Sequence, residues 1–174
     1  MTLYVVRHGQ AVPRQAWAHD DAQRPLSEAG MAQAAGLLER FAGRTVGLLV
    51  ASPTLRCLAT LLPLANERTL DLRSARQLLP GAASAAAELA RELLGADAVL
   101  CTHREVIPDL LWRLGAADLE GTTDELPTGG VWAVDGDAGR LAVAYLPPPE
   151  LDHLGRSRPE RPPHTGVHLG GGGR

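Results

Sequence analysis

Three short apolar runs, each followed by a helical pattern, constrain this fold most. Residues 3–6, 46–51 and 98–102 are continuous stretches of Val, Leu, Ala and similar residues with little polar alternation. A strand buried on both faces has this composition, and such strands belong to parallel sheets covered by helices on both sides. The segments between them supply the helices. Pro25-Leu26-Ser27 opens one, with Ser27 as N-cap and Met31, Ala34, Ala35, Leu38 and Phe41 as its predicted buried face. Ser52-Pro53 predicts the next helix start, Ser as cap and Pro at the first helical position, with Leu55, Leu58, Leu62 and Ala65 continuing it.

A short strand is expected at 70–72, an Ala/Leu-rich helix at 83–94, and a further helix through Val106, Leu110 and Leu114. Residues 131–134 and 141–145 flank Asp135-Gly136-Asp137-Ala138-Gly139 and predict a hairpin at the sheet edge. The polar stretch 10–24, with Pro13, reads as a loop. Strand and helix alternate throughout. The predicted fold is α/β, a three-layer α/β/α sandwich with a mostly parallel central sheet and a C-terminal edge hairpin.

One catalytic domain is expected over residues 1–146. Pro147-Pro148-Pro149 opens a Pro-, Gly- and Arg-rich segment, 147–174, which lacks an apolar period and is expected to be disordered. His153, His164 and His168 in it are taken as incidental.

Composition excludes several functions. The net charge of −3 and pI near 6.1 argue against nucleic acid as a partner. No apolar run approaches the roughly 18 residues of a membrane span. The first strand follows Met1 without a basic leader, so a cytoplasmic location is expected. All 17 basic residues are arginine, which removes any lysine Schiff base. Cys57 and Cys101 have no metal-ligand spacing and are expected to be buried, reduced side chains.

The three main strands end alike: in Arg7-His8-Gly9, in Ser52-Pro53-Thr54-Leu55-Arg56, and in Cys101-Thr102-His103. In a parallel sheet these ends share one edge, where ligands bind. Two guanidiniums and two imidazoles there suit a phosphoryl group. The arginines neutralise the dianion and bind its oxygens in bidentate fashion. A neutral imidazole can then attack phosphorus, and the second imidazole can donate to the equatorial oxygens. No metal and no cofactor is called for, because the arginines carry the charge.

On these residues the chain resembles the histidine phosphatase (phosphoglycerate-mutase-like) superfamily over roughly residues 1–146. The segment Arg24-Pro25-Leu26-Ser27-Glu28-Ala29-Gly30, with Gln33-Ala34 beyond, is also similar to that family. The resemblance implies that His8 is the phosphorylated nucleophile and that Arg7, Arg56 and His103 form the phosphate pocket, with Gly9, Glu105 and Trp17 as substrate-binding candidates. Two subgroups look closest. One is the SixA-like phosphohistidine phosphatases, similar in size and in the Arg-Pro-Leu segment. The other is the phosphatase domain that accompanies Nudix domains, similar at Trp17 before Asp20-Asp21, at Ser52–Arg56-Cys57, at Thr60-Leu61 and at Val106-Ile107-Pro108-Asp109-Leu110.

Many members place a Glu after the third strand to protonate the leaving oxygen. Here that region is Arg76-Gln77-Leu78-Leu79-Pro80-Gly81, without a carboxylate, as in SixA-like members. Glu105, Asp20 and Asp21 are the candidate substitutes. Arg104 stands where many relatives have Gly. The expected activity is that of a metal-independent phosphatase acting on a phosphohistidine protein or a small phosphorylated metabolite. A nucleoside di- or polyphosphate phosphatase, or a catalytically weak phosphate-binding adaptor, is the alternative.

Overall fold

The structure is a computed structural model that describes residues 1–116, 126–137 and 140–148. Six strands form one sheet: β1 (Thr2–Arg7), β2 (Leu48–Ala51), β3 (Leu72–Ser74), β4 (Ala98–Thr102), β5 (Val131–Asp137) and β6 (Arg140–Leu146), in the spatial order β3-β2-β4-β1-β5-β6. The first four are mutually parallel, and β5 and β6 run antiparallel as the expected edge hairpin. Four α-helices flank the sheet: α1 (Glu28–Arg40), α2 (Leu55–Arg68), α3 (Ala83–Glu92) and α4 (Ile107–Leu114). The predicted three-layer sandwich is the observed fold. The tail from residue 149, with its three histidines, lies outside the described residues. Among the described residues no helix is long and apolar enough to cross a membrane.

The alternation of side chains along each strand divides the core in two. Tyr4, Val6, Leu49, Ala51, Val99 and Cys101 pack with Leu37 of α1, with Phe41 just after it, and with Cys57, Leu61 and Leu64 of α2. Leu3, Val5, Val50 and Leu100 face the other way, onto Ala86 and Ala90 of α3 and Ile107, Leu110 and Leu111 of α4. Trp132 of β5 is fully buried in this second layer. Thus the helix after β1 covers one face, and the helix after β4 covers the other. β1 and β4 are neighbours, so the crevice between their carboxyl ends is the topological switch point of the sheet.

Two helical faces differ from the sequence expectation. Met31 is 56% exposed; the buried stripe of α1 is Gly30, Ala34 and Leu37, continued by Phe41. In α2, Leu55 and Leu62 are exposed, while Arg56, Cys57, Thr60, Leu61, Leu64 and Ala65 are buried. A charged and a hydroxyl side chain occupy the inward stripe, so the apolar residues around them gave the wrong phase. The helix also starts later than Ser52-Pro53 predicts: Thr54 precedes its first residue. Ser52 instead points its hydroxyl at His103.

Candidate active site

The register of the sheet places the two histidines side by side. Arg7 pairs with Thr102, and the His8 N–H donates to the Thr102 carbonyl at 3.1 Å. His8 and His103 follow these residues directly. Their rings meet edge to face with centroids 5.2 Å apart. β2 ends level with β4, since the Ser52 N–H donates to the Cys101 carbonyl at 2.9 Å. The helix that follows brings Arg56 in, with its Nη2 3.4 Å from His103 Nδ1. His8, Arg56 and His103 are 9%, 3% and 1% exposed. Three polar side chains are therefore withdrawn from water together, where unpaired polar groups are costly.

The His8 ring has a defined tautomer. Its Nδ1 lies 2.7 Å from the carbonyl oxygen of Gly9, which can only accept. Nδ1 therefore carries the proton, and Nε2 is left with its lone pair. Burial is the main cause that lowers the His8 pKa to about 4, and the charges of His103 and Arg56 push the same way, against opposing contributions from Cys57 and the Gly9 bond. The imidazole is neutral near pH 7.

His103 is held from behind. Its Nε2 lies 3.0 Å from Ser52 Oγ and 3.7 Å from Cys57 Sγ. Accepting from Arg56 at Nδ1 places the ring proton on Nε2, donated to Ser52. Both cysteines are free and buried, as the sequence predicts. Thr102 Oγ1 donates to the Leu78 carbonyl at 2.8 Å and ties β4 to the turn in the carboxylate-free segment.

The loop carrying His8 is clasped by α1 and α2. The Gly9 N–H donates to Thr60 Oγ1 at 2.9 Å, and that hydroxyl donates to the Arg56 carbonyl one turn earlier. On the other side, the Ser27 N–H donates to the Gln10 carbonyl at 2.8 Å, and the Gln10 N–H donates to Gln33 Oε1 at 2.8 Å. Ser27 Oγ accepts from the Gly30 N–H, as its predicted cap role requires. Side-chain atoms would not fit in this clasp. A Cβ on Gly30 would lie 1.9 Å from the Gln10 carbonyl oxygen, and one on Gly9 would lie 2.8 Å from that of Gly30. The Leu-Ser-Glu-Ala-Gly segment and Gln33 are thus the seat of the loop that carries His8. Gly9, a binding candidate in the sequence, has its N–H engaged by Thr60.

Arg7 turns toward the segment that leads into β5. Its Nη1 donates to the Leu126 carbonyl, and its pKa is lowered by burial and by Arg104 while Glu105 opposes them. Glu105, in the turn between β4 and α4, is exposed. In the first loop Asp21, a proton-donor candidate in the sequence, is paired with arginine instead. Asp21 Oδ2 lies 3.1 Å from Arg56 Nη2, and the Asp21 carbonyl accepts from Arg56 Nη1 at 2.7 Å. Burial raises the Asp21 pKa, but the Arg24 hydrogen bond and the charges of Arg56, Arg24 and Arg14 outweigh it and hold the carboxyl below its ordinary value. Asp20 accepts from the Ala22 N–H at 3.0 Å. Half-buried Trp17 donates to the Asp20 carbonyl at 3.0 Å and stacks edge to face on His19.

The switch-point crevice thus brings together a neutral buried imidazole, a second imidazole and a buried guanidinium. Residues 3–79 match the histidine phosphatase superfamily (branch 1). An 8-oxo-(d)GTP phosphatase of Mycolicibacterium smegmatis is 34% identical over 157 residues, which are 86% of this chain and 49% of that protein. The chain therefore spans about half the length of that relative. A protein assigned as the phosphohistidine phosphatase SixA of Agrobacterium tumefaciens shares the fold at a TM-score of 0.69 and 23% identity, over 84% of this chain and 97% of the other. One assigned as SixA of Nakamurella multipartitia does so at 0.63 and 23%, over 84% and 95%.

Proposed function

We propose that this protein is a phosphatase that works through a phosphohistidine on Nε2 of His8. The observation that carries this is the His8 ring itself, buried, neutral and tautomerically fixed by Gly9, beside His103 and Arg56. Arg56, with Arg7 at the same strand end, receives the dianion and offsets the charge that repels a nucleophile. Nε2 attacks phosphorus in line; the N–P bond forms as the bond to the leaving oxygen breaks. Water then attacks the phosphohistidine, releases inorganic phosphate and restores the imidazole.

Ser52 gives His103 its part. When a phosphoryl oxygen takes the place of Arg56 at Nδ1, the Ser52 hydroxyl can rotate to donate to Nε2. Nε2 releases its proton to water as Nδ1 takes one up, and the new Nδ1–H faces the anion. A preorganised donor of this kind is worth about 3–4 kcal/mol in a dry site. The arginines do the work of charge neutralisation, so activity should survive EDTA.

The leaving group decides the substrate. Asp21 is committed to arginines and ionised, and Asp20 caps a turn. Glu105, exposed and electrostatically coupled to Arg7, is the remaining carboxylate candidate for the proton donor. A phosphate or phosphoramidate leaving group needs less proton help than an alkoxide. The 34% identity to an 8-oxo-(d)GTP phosphatase favours nucleoside di- and polyphosphates as the substrate class. The fold shared with SixA proteins supports a second substrate class, phosphohistidine proteins.

The test is rapid acid quench with a panel of nucleoside diphosphate, phosphohistidine peptide, sugar phosphate and aryl phosphate. A phosphoenzyme that forms and decays at the turnover rate, and is lost in His8→Ala, is expected. Undiminished turnover in His8→Ala overturns the mechanism. Tight phosphate binding without turnover of any substrate would make the protein an adaptor.

A further inference from the structure

Arg56 is nearly inaccessible, yet most of its hold comes from one residue of the first loop. Nη1 donates to the Asp21 carbonyl at 2.7 Å, and Nη2 pairs with the Asp21 carboxylate at 3.1 Å. The same carboxylate receives Arg24 Nε at 2.8 Å and Arg14 Nη2 at 3.3 Å. Arg24 is anchored in turn, its Nη1 donating to the Val12 carbonyl at 2.8 Å. A single carboxylate thus meets three guanidiniums, and only Arg56 reaches the histidines.

We propose that Asp21 is a positioning residue for the phosphatase reaction, fixing the Arg56 guanidinium beside His103 and serving as its counter-anion until the phosphoryl group arrives. The proposal rests on the pocket reading above. A long side chain such as Arg has many rotamers, and its guanidinium helps a transition state only if its direction is already set. Asp21 sets it through two separate atoms. Arg24 locks the carboxylate so that the pair cannot swing away together. The negative charge also works against the substrate dianion, which weakens the grip on product phosphate.

A double-mutant cycle reads this directly. The rate of phosphoenzyme formation from an aryl phosphate is measured by acid quench in wild type, Asp21→Ala, Arg56→Gln and the double variant. Asp21→Ala should slow the step about tenfold to hundredfold. In the Arg56→Gln background the same change should alter it less than about twofold, because Asp21 acts through Arg56. Independent, additive losses overturn the proposal. So does a loss in Asp21→Ala that grows as the leaving alcohol becomes more basic, which would make Asp21 the proton donor.

A second variant needs no Arg56 mutant. Asp21→Asn keeps an acceptor oxygen and removes the charge, so inorganic phosphate should inhibit about threefold or more tightly. Unchanged or weaker inhibition contradicts the counter-anion role. Activity retained in His8→Ala would sink the pocket reading instead, so the two failures are distinguishable.

Discussion

Acid should destabilise this protein in a window set by His8. The folded pKa is about 4, against 6.5 for an ordinary histidine. Below pH 6.5 the unfolded chain takes up a proton that the folded chain refuses, so stability falls as the pH drops from 6.5 to 4. Below the folded pKa both states are protonated and the loss levels off. The gap between the two values corresponds to about 3 kcal/mol at 1.36 kcal/mol per unit. His8 is only 9% exposed, so solvent screening removes little of this. Urea unfolding of wild type and His8→Asn at pH 7 and pH 4 measures it. The wild type should lose about 3 kcal/mol more than the variant, because other titrating groups cancel in the difference. An equal loss in both proteins, or an NMR titration of the His8 ring centred near 6.5, refutes the claim that burial keeps this imidazole neutral.

Three further outcomes follow from the clasp and the histidine support. Gly30→Ala forces a methyl carbon against the Gln10 carbonyl; it should lower stability by about 1–3 kcal/mol and depress kcat with it, read by thermal melting and aryl phosphate turnover. Thr60→Val leaves the buried Gly9 N–H without its acceptor and should cost about 1–3 kcal/mol, while an unchanged Tm would exclude Thr60 as the pin of the loop. Ser52→Ala removes the partner of His103 Nε2; kcat should fall about tenfold with a near-native Tm, and full kcat would show that Ser52 does not orient the ring.

The main strands were legible because a doubly buried strand must be continuously apolar, and residues 98–102 form β4 with those very bounds; β3, expected at 70–72, lies at Leu72–Ser74 with two exposed residues, so apolar continuity did not mark it. The meeting of His8 and His103 was legible too, since strand ends in a parallel sheet share an edge. The helix faces were less so. Arg56 and Thr60 lie on the inward stripe of α2, where a hydropathy pattern places apolar residues. Ser52 carries the composition of a helix cap, but its hydroxyl faces His103, a partner distant in the chain. Asp21 was legible as a proton-donor candidate but not as the partner of Arg56, which reaches it only once the first loop folds over α2. Nothing local to Gly30 signals that the Gln10 carbonyl packs against it.

The pairing of β1 with β4 has a kinetic corollary. These neighbouring strands come from opposite ends of the described α/β repeat, and β2, β3 and three helices intervene in the chain. Joining them closes the longest loop in the parallel part of the sheet, the kind of non-local event that slows folding. Because His8 and His103 meet only across that seam, recovery of turnover during refolding should lag recovery of helical signal. Enzymatic activity would then serve as a clock for the last strand to enter.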